Sequence, residues 1–225
     1  MKPIVISLGG SIVVPDKIDY NFLKKFRALI LKHIKKGKRF ILICGGGATA
    51  RLYQKAASKV FKLSSEDLDW IGIHSTRLNA HLMRTIFEDI AHKKIIRNPK
   101  EKIKFNEKVL IAAGWKPGCS TDYDAVLLAR NFKSNSVINL SNIRKAYTKD
   151  PKKYKTAKPL DEVNWGDFRK IVGDKWVPGA NFPFDPIASK LAEKLKLKVA
   201  IMKGTNLKNL DNYLNKKKFI GTVIK

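Results

Sequence analysis

The sequence predicts an α/β fold built on a mainly parallel sheet. Short apolar runs alternate with longer amphipathic stretches along the chain, a pattern typical of parallel strands joined by helices. Two of these runs, residues 4–8 and 40–44, lead directly into glycines and then into a helical stretch. The 225 residues, of which 44% are hydrophobic, supply a sizeable core and exclude a disordered chain.

In the first half of the chain, helices follow recognisable start and stop signals. Asp19 can cap a helix that Gly37 ends, because the apolar residues between them recur at three- and four-residue steps. Another helical stretch begins at Ala48. Ser64 and Asp67 resemble a capping box for a third, long helix, which we predict to reach about Ala91. The predicted strands of this half are Ile4–Leu8, Phe40–Cys44 and Val109–Ala113.

The second half continues the alternation, and a soft division near residue 135 separates the two halves. We predict a helix from about Asp124 and a Lys-rich loop over residues 144–158, which contains a proline. Pro186 suits the first turn of a helix that continues through Leu195. The predicted strands here are Ser136–Leu140, Val199–Met202 and Thr222–Ile224.

The formal net charge of +27, from 46 basic and 19 acidic residues, suggests a polyanionic partner. A nucleic-acid partner would show as a steep salt dependence of RNA affinity. The alternative is a Lys-rich surface, as in heat-adapted organisms. Seven basic residues fall in each of 92–108 and 144–158, and six fall in 203–225, so the charge is not confined to one tail or helix face. We interpret most of it as diffuse surface charge and do not expect a nucleic-acid partner.

Composition also bears on the cellular setting. No apolar run approaches the ~18 residues of a membrane span, and the first residues lack the pattern of a signal peptide. Two cysteines, Cys44 and Cys119, cannot form a disulfide framework or a zinc site. We therefore expect a cytoplasmic protein without a membrane partner.

The two glycine loops are the strongest chemical signal that the residues give by themselves. A strand that ends in glycines and enters a helix presents unpaired backbone N–H groups, and the helix dipole adds roughly 0.3–1 kcal/mol toward binding an anion. One such loop is often structural, because tight turns need glycine. Two loops on adjacent parallel strands open at the same edge of the sheet. This arrangement suits phosphoryl transfer between two phosphate-bearing ligands.

Competing motifs are weaker. Residues 45–50 formally satisfy the dinucleotide fingerprint G-x-G-x-x-A, with Asp67 or Asp69 about twenty residues further on. That fingerprint normally occupies the first strand–helix unit, where this chain has a different loop. The chain has no Walker A sequence, protein-kinase motifs or G-x-S-x-G elbow. The spacing of its four histidines does not indicate a metal site.

Six motifs spread over nearly the whole chain resemble those of the amino acid kinase superfamily. Within it, their order and spacing are most similar to the archaeal-type uridylate (UMP) kinases, and together they are far more specific than either glycine loop. The motifs are L-G-G-S (8–11), G-G-G-A-T-A-R (45–51), L-D with S-T-R-L-N-A (68–80), P-G-C-S-T-D (117–122), N with A-Y-T-K-D-P (142–151) and D-P-I-A-S-K (185–190).

The resemblance implies the amino acid kinase fold, an αβα sandwich with a mainly parallel sheet, as a single domain over residues 1–225. It implies an acceptor-binding lobe at about 1–135 and an ATP-binding lobe at about 136–225. The implied reaction transfers the γ-phosphoryl group of ATP to UMP, giving UDP for pyrimidine nucleotide biosynthesis. Mg²⁺ would bridge the phosphates, with no ligand from protein side chains. The family also implies a homo-oligomer, a hexamer built from dimers, with the long helix 66–91 as a candidate contact surface.

The same resemblance implies the site residues. ATP contacts map onto Ser7, Leu8, Gly9, Gly10, Ser11, Gly47, Arg51, Ser141, Asn142, Tyr147 and Asp150. UMP contacts map onto Gly46, Asp69, Trp115, Lys116, Pro117, Gly118, Cys119, Ser120 and Thr121. Lys190 is the candidate for cationic stabilisation during catalysis. Several have a purely structural alternative: helix capping for Ser120 and Thr121, a turn for Asp150, and an exposed helix lysine for Lys190.

The sequence also departs from the family pattern. Where the family has N-V-D-G-V-Y, residues 142–147 read N-I-R-K-A-Y, so Arg144 and Lys145 replace an Asp-Gly pair. The change either impairs catalysis, leaving a nucleotide-binding regulator, or supplies cations that grip ATP. A sister enzyme such as isopentenyl phosphate kinase is a further alternative. Ser7, and the absence of a histidine near Arg51, argue against it.

Overall fold

The computed structural model describes residues 2–175 and 182–225 of the chain. The described part contains seven strands and eight helices. The strands are β1 (Ile4–Leu8), β2 (Phe40–Cys44), β3 (Val109–Ala112), β4 (Ser136–Ser141), β5 (Glu162–Val163), β6 (Lys198–Lys203) and β7 (Thr222–Ile224). The helices are α1 (Gly10–Val13), α2 (Tyr20–Ile34), α3 (Gly47–Val60), α4 (Ser65–Ile86), α5 (Thr121–Asn131), α6 (Trp165–Val172), α7 (Pro186–Lys194) and α8 (Leu207–Leu214).

The strands form one sheet in the order β3-β2-β1-β4-β6-β7-β5. Of the neighbouring pairs in this described sheet, only β6 and β7 run antiparallel. Strands β3, β2, β1, β4 and β6 therefore end at one common carboxyl edge. In α/β sheets, this edge is where ligands bind.

Helices cover both faces of the sheet, which confirms the predicted αβα sandwich. Alternate residues of β1 point to opposite faces, so Ile6 packs in one apolar cluster and Val5 in the other. Phe26 of α2 and Met83 of α4 fill the first cluster, and Phe168 of α6 belongs to the second. In the described residues, no helix is long and apolar enough to cross a membrane.

The predicted strands are confirmed, but the end of α4 is not. The prediction extended this helix to about Ala91, because the apolar period continues through Ile90. The helix ends at Ile86, where the Phe87 N–H donates to the Met83 carbonyl and the Glu88 N–H donates to the Thr85 carbonyl. Residues 87–90 form a turn, because Ala91 must leave the helix to pair with β3.

Helix α5 begins at Thr121, three residues earlier than predicted, since Ser120 is its N-cap and accepts a hydrogen bond from the Tyr123 N–H. Three short helices, α1, α6 and α8, and the two-residue strand β5 were not predicted. Segment 144–158 is a loop, as predicted, with one bridge from Tyr147 to Pro159.

Candidate active site

The two glycine loops contact each other backbone to backbone. Strands β1 and β2 pair in register through Leu8 and Cys44, so both loops emerge side by side. A Cβ added to Gly10 would lie 2.0 Å from the Gly47 nitrogen, and one added to Gly45 would lie 2.5 Å from the Gly10 nitrogen. Gly47 also has a positive φ of 64°. These positions need glycine because no side chain fits between the loops.

The same packing leaves a group of backbone donors free at the carboxyl edge. In the described residues, no acceptor takes a hydrogen bond from the N–H groups of Gly10, Ser11, Gly46 or Gly47. Gly46 and Gly47 lie at the N-terminus of α3, a helix of 14 residues whose dipole favours negative charge there. Unpaired N–H groups at such a helix terminus are suited to bind phosphate oxygens.

Arg51 connects the second loop to the first. Its guanidinium donates to the Ser11 hydroxyl at 3.1 Å and to the Pro15 carbonyl at 3.0 Å. The side chain lies one turn into α3 and is exposed. A cation therefore lies beside the free N–H groups, within reach of a bound phosphate.

The loop that follows β3, residues 114–118, is held by two side chains of α4; we call it the acceptor loop. The Thr76 hydroxyl accepts from the Gly114 N–H at 2.8 Å. Asp69 of α4 accepts from the Gly118 N–H at 2.8 Å. Two residues predicted from the UMP-kinase resemblance, Asp69 and Gly118, are thus in direct contact.

Helix α4 also fixes the distance between the acceptor loop and the second glycine loop. A Cβ on Gly46 would lie 3.3 Å from the Gly72 carbonyl oxygen, and one on Gly114 would lie 2.9 Å from the Thr76 hydroxyl. Asn79 donates to the carbonyls of Gly45 at 2.8 Å and Gly46 at 3.1 Å. Asn79 occurs in one of the motifs, but it was not among the predicted site residues.

Three carboxyl groups lie beneath this edge: Asp124 and Asp185 are buried, and Asp122 is half-buried. Asp122 and Asp185 occur in two of the motifs, but none of the three was among the predicted site residues. Asp122 accepts from the Ser7 hydroxyl at 2.8 Å and from Asn139 at 3.3 Å. Burial raises the pKa of Asp122 to about 7, and the charge of Asp185 contributes. Ser7 and Asp122 therefore join the end of β1 to the start of α5.

Asp124 is the least exposed of the three carboxyl groups. It is 1% exposed, and its Oδ2 accepts from the Trp115 N–H at 3.0 Å. Its Oδ1 has no hydrogen-bond partner in the described residues. Burial raises the pKa of Asp124 to about 8, with further contributions from the charges of Asp185 and Asp122.

Asp185 caps α7 by accepting from the Ala188 N–H at 2.6 Å, and its Oδ2 has no partner in the described residues. Burial raises the pKa of this carboxyl group as well. Cys119 lies close by, where burial and the charge of Asp124 raise the pKa of its thiol to about 12. The base of the acceptor loop is therefore a dry environment that disfavours negative charge on its own side chains.

Four of the residues predicted to contact ATP follow or end β4, the strand next to β1 in the sheet. Ser141 ends the strand, and its carbonyl accepts from the Gly204 N–H at 2.8 Å. Asn142 is exposed, and Tyr147 makes the bridge to Pro159. Asp150 accepts from the Lys152 N–H at 2.9 Å. It therefore forms a turn, which is the structural alternative given for it above.

Lys190 is exposed on α7, and in the described residues it makes no hydrogen bond or ion pair. It lies near Asp174, whose pKa is lowered first by a hydrogen bond from Arg169 and also by the charge of Lys190. No contact brings Lys190 to the glycine loops, so its catalytic role stays a prediction.

The Arg144–Lys145 pair follows β4 at the same edge. Lys145 forms an ion pair with Asp161. Arg144 is exposed, and it has no ion-pair partner in the part of the chain that the structure describes. Of the two cations that replace Asp-Gly, only Arg144 is free to reach a ligand. In the described residues, no group of three His, Cys, Asp or Glu side chains could hold a metal ion.

The sequence model described as "Amino acid kinase family" matches residues 2–203 of the chain. The chain is 33% identical to a uridylate kinase from Sulfurisphaera tokodaii, with 98% of each sequence covered. It is 32% identical to a uridylate kinase from Methanospirillum hungatei, with 100% of this chain and 95% of the relative covered.

Solved structures agree with the sequence comparison. The uridylate kinase from Archaeoglobus fulgidus matches with a TM-score of 0.83 and 31% identity, and the match covers 100% of both chains. A UMP kinase from Bacillus anthracis, at 19% identity, shares the fold with a TM-score of 0.78. With its sandwich architecture, its paired glycine loops and these matches, the chain belongs to the amino acid kinase family.

Proposed function

We propose that the protein is a nucleoside monophosphate kinase that transfers the γ-phosphoryl group of ATP to UMP and gives UDP. The observation that carries the proposal is the meeting of two glycine loops, with four free N–H groups, beside an acceptor loop held by Asp69. Relatives named uridylate kinase align with nearly the whole chain and support the choice of acceptor. Such a reaction serves pyrimidine nucleotide biosynthesis, and we place it in the cytoplasm.

The donor would occupy the side of the edge that follows β1 and β4. Free N–H groups of Gly10, Ser11 and Gly47 cradle its phosphates, and Arg51 neutralises their charge. The segment from Ser141 to Asp150 frames its nucleoside. ATP fits this cradle because the unpaired donors lack any protein acceptor among the described residues. Mg²⁺ would be held by the nucleotide rather than by protein side chains, and it would supply positive charge that offsets the charge of the phosphates.

The acceptor would occupy the side that follows β2 and β3. Asp69 has a second carboxylate oxygen that can accept from a ribose hydroxyl, since only its Oδ2 is used by the Gly118 N–H. Gly46 and residues 115–121 surround the uracil and the acceptor phosphate. Phosphoryl transfer needs alignment and charge neutralisation more than a covalent nucleophile, which agrees with a site built mainly from backbone donors.

A coupled assay of ADP release with a panel of nucleoside monophosphates tests the proposal. We expect UMP to stimulate ADP release far above CMP, AMP or no acceptor, at ordinary and at high temperature. Equal rates with all acceptors, or none above the background, would overturn it. Binding of ATP and UMP without turnover would instead support the regulator that the Arg144–Lys145 pair suggests.

We also propose that the protein is a homo-oligomer, a hexamer built from dimers as the family resemblance implies, assembled through the outer face of α3 and α4. This face exposes large apolar side chains that a monomer would leave in water. Leu52 is 67% exposed, Val60 87% and Leu78 63%. A groove of about 490 Å³ lies between the two helices. Light scattering after size exclusion measures the oligomeric state.

A further inference from the structure

A basic residue stands shortly before each of the five strands that share the carboxyl edge, so these cations lie at the opposite, amino edge of the sheet. Lys2 precedes β1, Arg39 precedes β2, and Lys108 precedes β3. Lys133 precedes β4, and Lys196 precedes β6. The five strands are neighbours in the sheet, and a spacing of about 4.8 Å spreads their first residues over roughly 19 Å.

Backbone and side-chain contacts bring the cations at the start of β1, β4 and β6 together. The Lys2 ammonium donates to the Asn135 side-chain carbonyl at 2.9 Å. Lys198, the first residue of β6, pairs with Ser136, and its N–H donates to the Asn135 backbone carbonyl at 3.4 Å. Helices α5 and α7, which end just before β4 and β6, pack against each other. We call the lysines at this place the amino-edge cluster: Lys2, Lys133, Lys196 and Lys198.

The charge of the amino-edge cluster is not balanced within the described chain. All four lysines are exposed, and none of them forms an ion pair in the residues that the structure describes. Glu193, on the last turn of α7, is engaged by Arg169 at 2.6 Å. The proposed substrates occupy the carboxyl edge, which is a strand length of roughly 16 Å away. The cluster therefore has no use in the proposed reaction and is free to meet a separate anion.

The ends of the helices show that a cation is retained at two of these positions in spite of the backbone conformation. Helices α2, α5 and α7 end in the same Schellman pattern of hydrogen bonds. The left-handed position of this pattern is Gly37 after α2, with φ of 83°, but Lys133 after α5 and Lys196 after α7, with φ of 56° and 49°. Glycine is the more stable residue in this conformation, because it has no Cβ. A lysine in the last helical turn would interact with the helix dipole equally well without the strain.

The surroundings of the cluster favour a nucleic acid over a protein or a membrane. None of the exposed large apolar side chains in the described chain belongs to the segments that hold the cluster, residues 2–3, 132–136 and 195–198. Protein interfaces use aromatic and apolar anchors and are depleted in lysine, and membrane-binding faces insert apolar side chains. Exposed lysines without such anchors are suited to phosphates along a nucleic-acid backbone.

We propose that the amino-edge cluster is a docking site for the sugar–phosphate backbone of a nucleic acid, bound without regard to base sequence. The inference goes beyond the proposed function and does not depend on it, because the two surfaces lie at opposite edges of the sheet. It departs from the expectation of diffuse charge that the sequence gave rise to. The parallel register and the helix ends, and not the total charge, place these lysines together.

The test compares two double variants of the full chain that remove equal charge. Lys133→Gln/Lys196→Gln alters the cluster, whereas Lys24→Gln/Lys208→Gln removes two exposed lysines of α2 and α8. Fluorescence anisotropy measures binding of a labelled single-stranded RNA of about 20 nucleotides between about 50 and about 300 mM salt. At about 100 mM salt, we expect the cluster variant to bind about fivefold more weakly than the wild type. Its plot of log Kd against log salt should be shallower by roughly 1.4, because two phosphate contacts are lost.

The control variant should bind this RNA like the wild type. Equal losses in the two variants, or an unchanged affinity in the cluster variant, would show that the charge acts diffusely and would overturn the inference. Duplex DNA in place of RNA identifies which nucleic acid is preferred, and a loss specific to the cluster variant with either one supports the inference. If polyglutamate of equal charge, or vesicles of phosphatidylserine, displaced the RNA as readily as unlabelled RNA does, the partner would be an acidic protein or a membrane instead, which also overturns it.

A glycine variant separates RNA binding from helix termination. Lys133→Gly/Lys196→Gly removes both charges and relieves the left-handed backbone. We expect the thermal midpoint to rise by about 2 °C, and RNA binding to weaken as in the glutamine variant. A lower midpoint together with wild-type RNA affinity would assign the two lysines to the helix ends alone and contradict the inference.

Discussion

Replacing Asp124 with asparagine should make the stability of the protein much less dependent on pH. The carboxyl group is 1% exposed, accepts one hydrogen bond and leaves Oδ1 without a partner in the described residues. Its pKa is raised from 3.8 to about 8, chiefly by burial. An asparagine keeps an oxygen that can accept from the Trp115 N–H and has no charge to bury.

The direction and size of the change in unfolding free energy with pH follow from proton linkage. A carboxyl group whose folded pKa lies above its unfolded pKa stabilises the fold fully below about pH 4, and this stabilisation is lost as the pH rises through about 8. Over that window, the unfolded chain has released the proton and the folded chain has kept it. The free energy of unfolding then falls by up to about 1.4 kcal/mol per pH unit. Between pH 5.5 and 7.5, Asp124 alone accounts for about 2–3 kcal/mol.

Urea denaturation followed by circular dichroism at several pH values between 5.5 and 8.5 measures the effect. We expect the unfolding free energy of Asp124→Asn to fall less steeply than that of the wild type, so that the two curves diverge with rising pH. Asp122 remains in the variant, so a smaller slope persists. The surface variant Asp16→Asn serves as a control and should follow the wild type. Parallel curves for Asp124→Asn and the wild type would refute the reasoning.

Four further results are expected. Gly10→Ala should lower the unfolding free energy by more than about 3 kcal/mol in thermal or urea unfolding, because the new Cβ would lie 2.0 Å from the Gly47 nitrogen. The control variant Gly72→Ala, whose new Cβ would meet only a side-chain nitrogen at 3.5 Å, should leave the unfolding free energy unchanged or raise it. Asp69→Asn should raise the KM for UMP about tenfold and leave the KM for ATP unchanged in steady-state assays, with Glu66→Gln as the control; an equal rise for both substrates would contradict the assignment. Arg144→Ala should raise the KM for ATP more than Lys145→Ala does, because Lys145 is engaged by Asp161; the reverse order would show that the free cation does not reach the donor. Val60→Glu/Leu78→Glu should dissociate the oligomer in light scattering, and an unchanged mass would place the interface elsewhere.

The fold could be predicted where the sequence carries a strong local signal. Continuous apolar runs such as Phe40–Cys44 are buried on both faces of the sheet, and glycines mark where they end. Helices α6 and α8 were missed because each has only eight residues, fewer than the roughly 11 to 18 over which a helical apolar period is normally recognised. Their side-chain caps, Asn164 and Asn206, were the available signal.

The site could be predicted only in part. The motifs predicted Asp69 and Gly118 as UMP contacts, and the fold places these two residues in contact with each other. The buried state of Asp124 and Asp185 could not be predicted, because aspartates are usually exposed and the burial arises where the start of α5 meets α7. Likewise, the lysines that precede the strands resembled diffuse surface charge, since only the parallel register of the strands brings them to one edge of the sheet.

The backbone contact between Gly10 and Gly47 has a consequence for how the enzyme can change. The two loops pack so closely that neither can shift without displacing the other, and in the proposed function they form a common floor for both substrates. Any opening and closing around substrates would therefore come from the rim, where the acceptor loop and segment 144–158 lie. For the same reason, a descendant with a different nucleotide preference would be expected to differ in rim residues such as Trp115 and Arg144, while its floor stays the same.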